Sequence, residues 1–317
     1  MRKVYKIMFF VSMALTMAAI IITAVFGLRF GVDFKGGALM EIVFKENRPP
    51  TAELSETIGA ISGAKDINIS PVGDRGALIR LNSVDEQTHQ NILNKISEKF
   101  GEINESRFDS IGPTIGKELR SRSITAIIIL LAAIISYIAF VFRKMSRVLS
   151  PWAMGLAAVI ALIHDVVIPV GVFALLGHYY GIEITAVFVA AALTILGYSL
   201  SDSVVVFDRV RENVLRFGAT AIPRRRAQTS YSAHGVAEPS TISQDFGELV
   251  HKSIMQTLVR SLNTTFTTLL ALIAIFFFGG ESIKYFALAL IIGIFSGAYS
   301  SIFVASPLLV WLSGRRS

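Results

Sequence analysis

Leu196-Gly-Tyr-Ser-Leu-Ser-Asp202-Ser-Val-Val-Val-Phe207-Asp-Arg-Val-Arg-Glu-Asn213 sets one carboxylate, Asp202, inside an apolar helical run that ends in alternating charges. Placing a carboxylate at the centre of a membrane helix costs about 2.5–3.5 kcal/mol on translocon scales, so an acid there reads as functional and calls for a partner. A candidate partner is Arg260, which opens Arg260-Ser-Leu-Asn-Thr-Thr-Phe-Thr-Thr268. A second buried acid, Asp165, lies in Leu162-Ile-His-Asp-Val-Val167. Three spans thus carry ionisable groups in a chain that is mostly hydrocarbon.

Working outward, the 317 residues are 53% hydrophobic, with a mean hydropathy of +0.60. Such a balance belongs to a polytopic membrane protein. Cysteine is absent, which excludes disulfides, thiolate catalysis and Cys-ligated metals. Apolar runs at about 8–28, 124–142, 152–176, 184–207, 264–278 and 285–312 predict six membrane helices, the fifth starting before Arg260. The first run lacks a small-residue cleavage site and reads as a retained helix. Basic residues gather on one side: Arg2, Lys3 and Lys6; Arg143, Lys144 and Arg147; Arg209, Arg211, Arg216, Arg224, Arg225 and Arg226; Arg315 and Arg316. The opposite connections, 177–183 and 279–284, hold one lysine between them. The positive-inside rule then predicts both termini in the cytoplasm. The expected division is residues 1–28 as N-terminus and first helix, 29–123 as an external domain, and 124–317 as a five-helix bundle with a cytoplasmic loop at 208–259.

The external segment alternates strand and helix patterns. Strands are expected at 38–44, 67–72, 77–81 and 105–111, and helices at 51–61, with Thr51 as N-cap, and 84–100, with Ile92, Leu93, Ile96 and Phe100 at helical spacing. The order β-α-β-β-α-β predicts a ferredoxin-like α+β domain. Segment 217–245, rich in Ser, Thr, Gly and Arg, reads as a flexible cytoplasmic loop. Its Arg run reads first as a topogenic signal, with a contact to anionic lipid heads or RNA as the alternative reading, and no nucleic-acid partner is expected.

On the fifth span Arg260, Asn263, Thr264 and Thr267 recur at i, i+3, i+4 and i+7, a polar stripe that faces other helices or a wet cavity rather than lipid. Ala190, Thr194, Gly197 and Ser201 on the fourth span, and Gly293, Gly297 and Ser301 on the sixth, form small-residue rows suited to close packing. Asp202 and Arg260 share a depth near the cytoplasmic ends of their helices. One reading is a fixed ion pair. The other is a proton relay, in which Asp202 alternates between a carboxylate paired with Arg260 and a neutral acid. Moving one charge across 100 mV is worth about 2.3 kcal/mol, enough to shift a two-state equilibrium about fifty-fold. Asp165 is the weaker relay candidate. Its neighbour His164 projects about 100° away around the helix, so the two are not expected to form one site. Asp208 with Arg211, and Glu212 with Arg216, read as pairs on a solvated helix end.

No enzyme motif survives inspection. Gly112-Pro-Thr-Ile-Gly-Lys117 is too short for a phosphate-binding loop and has Glu118 where Ser or Thr is needed. Gly293-Ile-Phe-Ser-Gly297 is not a nucleophile elbow, the acids lack the contexts of an intramembrane aspartyl protease, and no metal-ligand spacing is present. Neither a catalytic site nor a cofactor is expected.

Taken together, Gly31-Val-Asp-Phe-Lys-Gly-Gly37, His164-Asp165, the Gly197 to Asn213 run, Gln256-Thr-Leu-Val-Arg-Ser-Leu-Asn-Thr-Thr265 and Phe278-Gly-Gly280 resemble the SecF members of the SecD/SecF family of bacterial protein export, over nearly the whole chain. The resemblance implies a half-transporter of the resistance-nodulation-division type in the bacterial cytoplasmic membrane. It also implies a SecD partner, association with the SecYEG channel and with YidC- or YajC-type accessory proteins, and a translocating preprotein as substrate. Proton motive force, or a Na⁺ gradient in its place, would drive movements of the external domain. It further implies that Asp202 and Arg260 stand at proton-pathway positions and that Asp165 occupies another characteristic acidic position. Ser201 stands where that family usually has asparagine. Segment 217–245 is longer than the family's by roughly two dozen residues and reads as a surface insertion. Gly36 and Gly37 are a candidate hinge between the first span and the external domain, or alternatively packing glycines. The rival functions are a half-transporter for a lipid or small molecule, and a scaffold that transduces nothing.

Overall fold

The computed structural model describes residues 3–61, 63–143, 150–217 and 246–314. From residue 218 onward the basic segment expected as a loop lies outside the described residues, as do Arg2, Lys144, Arg147, Arg315 and Arg316. In chain order the elements are α1 (Lys3–Phe26), α2 (Val32–Lys35), β1 (Gly37–Phe44), α3 (Thr51–Gly59), β2 (Asn68–Val72), β3 (Gly76–Leu81), α4 (Glu86–Phe100), β4 (Ile103–Ile111), α5 (Pro113–Val141), α6 (Pro151–Tyr180), α7 (Ala186–Phe217), α8 (Phe246–Phe278), α9 (Glu281–Ser300), a π-helical turn (Ser301–Ala305) and α10 (Ser306–Gly314). They divide into two compact units. One is helical (Met1–Leu28, Ile127–Ile182, Val187–Ser317) and the other α+β (Arg29–Ala126 with Glu183–Ala186).

In the α+β unit, β1 obeys the period of two that a one-sided sheet demands. Ala38, Met40, Ile42 and Phe44 are buried, while Leu39, Glu41 and Val43 on the other face are half-buried. The sheet order is β2-β3-β1-β4 with every adjacent pair antiparallel, and Met40 lies opposite both Ile79 and Phe108. Leu54 and Ile58 of α3 and Ile92 and Ile96 of α4 pack on the Met40–Ile42–Ile79 core. This is the βαββαβ arrangement expected from the sequence. Thr51 is the first helical residue of α3 rather than its cap. Pro50 holds the cap position at φ −53°, so a locked φ starts the helix in place of a capping hydroxyl. On α4 the cap is Asp85, whose Oδ1 accepts the Thr88 N–H at 3.0 Å.

The segments entering and leaving this unit cross at glycines. A Cβ on Gly36 (φ +81°) would stand 2.6 Å from Pro113 Cα, and one on Gly116 would stand 2.9 Å from Gly36 N. Gly37 (φ +138°) faces the Leu81 carbonyl oxygen, which a Cβ would meet at 2.8 Å. Both glycines are thus closely approached by neighbouring backbone. The second membrane helix starts well before residue 124, because α5 begins at Pro113. Lys117, Glu118, Arg120 and Arg122 interrupt the hydropathy there without interrupting the helix.

Among the described residues, six helices are long and apolar enough to cross a membrane. Exposed apolar side chains such as Phe10, Ile128 and Ile129 stud α1 and α5, and Phe142, Phe207, Leu162, Val210 and Leu309 fill the core. α7 and α8 run beyond their apolar stretches. The loop expected at 208–259 is therefore helical to Phe217 and again from Phe246. In that extension the Asn213 amide donates to Ser253 Oγ at 2.8 Å, and Arg209 Nε donates to Gln256 at 2.7 Å. The expected surface pair of Asp208 with Arg211 is present at 2.9 Å. The row on α9 packs closely, since a Cβ on Gly293 or Gly297 would collide with Ile195 or Ser199 of α7.

Candidate functional site

Asp165 is wholly buried on α6, and its carboxylate is saturated. Ser199 of α7 and Ser300 of α9 donate to Oδ2 at 2.5 and 2.7 Å, Ser296 of α9 donates to Oδ1 at 3.2 Å, and His164 Nδ1 lies 2.9 Å from Oδ1. Three helices are tied to one carboxyl group. The expectation that His164 and Asp165 would not form one site is therefore corrected. The offset of their Cβ directions is real, but His Nδ1 sits close to its own backbone and a carboxylate can turn back to reach it. His164 Nε2 is buried and has no hydrogen-bond partner among the described residues.

Asp202 differs in kind. It is 6% exposed, and its Oδ2 has no hydrogen-bond partner among the described residues. Ser261 and Thr265, one turn apart on α8, stand beside this carboxylate as its hydrogen-bonding hydroxyls and are buried with it. Buried polar atoms are ordinarily well paired, so an acid whose Oδ2 has no well-aligned partner among the described residues marks a site rather than a core. A cavity of about 320 Å³ adjoins it, lined by Tyr198, Ser201, Asp202 and Val205 of α7 and by Arg260, Ser261, Thr264, Thr267 and Thr268 of α8. The hydroxyls of Tyr198 and Thr268, 3.2 Å apart, join the two helices beside it.

Of the residues singled out from sequence, Asp202, Arg260, Ser201, Thr264 and Thr267 come together around this cavity, while Asn263 stands on the same face of α8 outside it. Arg260 is exposed and makes no ion pair with Asp202 within the described residues. Thr264 and Thr267 donate back to the carbonyls of Arg260 and Asn263, which leaves their oxygens as acceptors toward the cavity. Arg260, Asn263, Thr264 and Thr267 are all exposed on this chain, and so is the row Ala190, Thr194, Gly197 and Ser201 of α7. Around Gly197 a Cβ would meet nothing within 4 Å. The row expected to pack inside the bundle is instead an open face beside the polar stripe. Sequence reasoning missed Ser261 and Thr265, which sit one position off that stripe. It also missed Ser199, Ser296 and Ser300, although the i, i+4 spacing of Ser296 and Ser300 was available as a signal.

Fold and site together define a multi-pass membrane transport subunit with a ferredoxin-like domain after its first span and an incompletely paired acid in its fourth. The sequence profile described as "Protein export membrane protein SecD/SecF, C-terminal" matches residues 91–232 and 238–315, and that of the "SecD/SecF GG Motif" matches residues 21–47. The protein translocase subunit SecF of Thermobaculum terrenum is 39% identical over 314 residues, covering 95% of this chain and 90% of that protein. The SecDF subunit of Brucella abortus is 33% identical over 95% of this chain but only 36% of its own length. The crystal structure of SecDF from Thermus, called a translocon-associated membrane protein, superposes with a TM-score of 0.76 at 30% identity, covering 98% of this chain and 38% of that one. The chain belongs to the SecD/SecF family of protein translocase subunits, on its SecF side. The family is one of transport subunits not known as enzymes.

Proposed function

We propose that this chain pairs with a SecD partner beside the SecYEG channel and uses the proton motive force to promote late export of preproteins, with Asp202 as the coupling acid. The single observation that carries this reading is the buried Asp202 carboxylate, set beside the Ser261 and Thr265 hydroxyls with no well-aligned partner for its Oδ2 among the described residues, and opening on a polar cavity that Arg260 also lines. A carboxylate so placed has a site for a proton on its free oxygen, and a guanidinium within the same cavity responds to the change in charge. Asp165, with its oxygens filled by three serines and His164, is assigned an anchoring role instead.

The partner follows from the open faces of α7 and α8. A stripe of Arg, Asn and Thr does not face hydrocarbon, and a small-residue row without a neighbour invites a helix against it. SecD-type helices fit that place, since related chains carry both halves fused in one polypeptide. The basic side of the spans sets both termini in the cytoplasm of a bacterial cell, and the α+β unit outside.

Preprotein export into membrane vesicles under an imposed proton gradient tests the reading, with wild type compared to Asp202→Asn after equal assembly with SecD is verified. Loss of the gradient-dependent component with survival of the ATP-driven part is expected. A response to a sodium gradient alone would replace the ion. Full stimulation of the Asn variant would leave a scaffold as the function.

A further inference from the structure

Within the α+β unit, the two segments next to the first and second spans are rich in cations. Arg29 and Lys35 follow α1, and Lys117, Arg120 and Arg122 lie on the first turns of α5. The positive-inside rule counts short connections, so a domain-sized external segment tolerates such charges without calling for them. The acids of the same region are already engaged. Glu118 Oε1 accepts from Arg122 Nε at 3.0 Å, Glu183 lies 3.1 Å from Arg80, and Asp33 Oδ2 accepts the Ala186 N–H at 2.7 Å. Arg29, Lys35, Lys117 and Arg120 are exposed, and among the described residues none of the four has a carboxylate partner.

The backbone holds these two segments side by side. The Arg120 guanidinium carbon stands 4.7 Å from the centre of the Phe30 ring, and Phe30 is the neighbour of Arg29. The chains touch at Gly36 and Gly116, where a Cβ on Gly116 would stand 2.9 Å from Gly36 N and 3.1 Å from the Phe34 carbonyl. Lys35 and Lys117 flank that contact.

The face of α5 that carries the cations changes character toward the span. Lys117, Arg120, Ile124 and Ile128 stand at i, i+3, i+7 and i+11, within an arc of about 80°. All four are exposed, the two isoleucines at 52% and 61%. Over about 16 Å, at ~1.5 Å per residue, one helix face thus passes from ammonium and guanidinium to bare hydrocarbon. A phospholipid presents the same order, phosphate first and acyl chain below. An acidic stretch of polypeptide would match the cations and leave the isoleucines unmatched.

We propose that this face binds an anionic phospholipid of the outer leaflet, with its phosphate among Arg29, Lys35, Lys117 and Arg120 and an acyl chain along Ile124 and Ile128. The proposal rests on the reading that sets the α+β unit outside the cytoplasm. A cation at a charged membrane surface changes occupancy about fivefold. Arg120 is the best placed of the four, because the Phe30 ring already confines its guanidinium and less freedom is lost when its planar fork meets a phosphate.

The chain has no cysteine, so a single introduced thiol reports on one place. Ile128→Cys carrying a bimane label, in the full chain reconstituted with SecD, is exposed to phosphatidylglycerol or phosphatidylcholine bearing a doxyl quencher on the acyl chain. At equal mole fraction phosphatidylglycerol is expected to quench at least about threefold more effectively. Lys117→Gln with Arg120→Gln is expected to abolish that preference, and Lys65→Gln with Lys95→Gln, which removes two charges away from α5, to leave it intact. Equal quenching by the two lipids overturns the proposal. Loss of the preference in the Lys65 and Lys95 control overturns it too, since that would mark a general attraction to a cationic protein. Equal quenching together with cross-linking of an acidic peptide to this face would assign the cations to a polypeptide instead. Reaction of Glu98→Cys with a membrane-impermeant maleimide on intact spheroplasts tests the placement beneath. Labelling only after lysis defeats the external reading, while labelling of intact spheroplasts with equal quenching by the two lipids defeats the lipid site alone.

Discussion

His164 Nδ1 lies 2.9 Å from Asp165 Oδ1, although the two residues are adjacent on one helix and start out on different faces. The contact places the imidazole and three serine hydroxyls around a single carboxylate. It ties α6 to α7 and α9 through those hydroxyls.

Asp165→Ala strands the Ser199 and Ser296 hydroxyls, while Ser300 keeps the Gly297 carbonyl at 3.2 Å, and is expected to destabilise the bundle by about 2–3 kcal/mol, since each stranded polar group costs of order 1 kcal/mol. Ser296→Ala, which removes the longest of the contacts, is expected to cost about 0.6 kcal/mol. Thermal unfolding in detergent ranks the two variants. Equal midpoints would show that the carboxylate is not the tie between the helices.

Gly36→Ala combines a backbone region open mainly to glycine with a collision at Pro113, and about 2–5 kcal/mol of destabilisation is expected. Gly73→Ala is the control. Its φ is also positive (+57°), but a Cβ there meets nothing within 4 Å, so only the backbone term of about 1 kcal/mol applies. If both variants melt alike, close packing is not what requires glycine at position 36, and the hinge reading is favoured.

Replacing Asn263 and Thr267 together by leucine removes polar groups from the exposed face of α8 without touching the core. The bundle is expected to fold normally while partner recovery weakens severalfold, about 1 kcal/mol in all. Ile128→Ala on the exposed face of α5 is expected to leave recovery unchanged. Co-purification with SecD at graded detergent concentration reads the difference, and undiminished recovery of the leucine variant would remove that face from the interface.

Hydrogen bonds from the Thr88 side chain and backbone hold the Asp85 carboxyl below the usual carboxylate range. A depressed value in the folded state means that the cap supports α4 above the unfolded pKa, near 3.9, and that this support fades as pH falls below it. Amide exchange at the start of α4 is expected to quicken below about pH 4 in the wild type and to lose that acid dependence in Asp85→Ser, which caps without titrating. An unaltered acid profile in the Ser variant would trace the effect to another carboxylate.

The α+β unit was largely legible because a strand period of two and a helix period of 3.6 leave different marks, as Ala38, Met40 and Ile42 do against Ile92 and Ile96. Helix ends were less so. Hydropathy stops at Ile124 while the helix begins at Pro113, because backbone hydrogen bonding does not depend on whether Lys117 and Arg120 face water. The acids Asp202 and Asp165 announced themselves by the cost of burying them. Their surroundings did not. Ser and Thr are unremarkable in a membrane helix until tertiary packing aims them, so Ser261 and Thr265 could not be told from Thr264 and Thr267 by spacing alone. The same limit applies to Asp33, whose partner amide is far away along the chain.

The π-helical turn at Ser301–Ala305, where the Ser306 hydroxyl reaches back to the Ser301 carbonyl, amounts to one residue more than a regular helix would hold. Ahead of it Ser296 and Ser300 look toward Asp165, and behind it Leu308 and Leu309 look into the bundle core. A deletion of one residue in this turn would leave composition, hydropathy and helix content almost unchanged. It would rotate everything after it by about 100°, so that hydroxyls and leucines could no longer face inward together. In a segment this uniform, the count of residues is itself information, and a length change too small to register in any hydropathy profile would undo the sixth span.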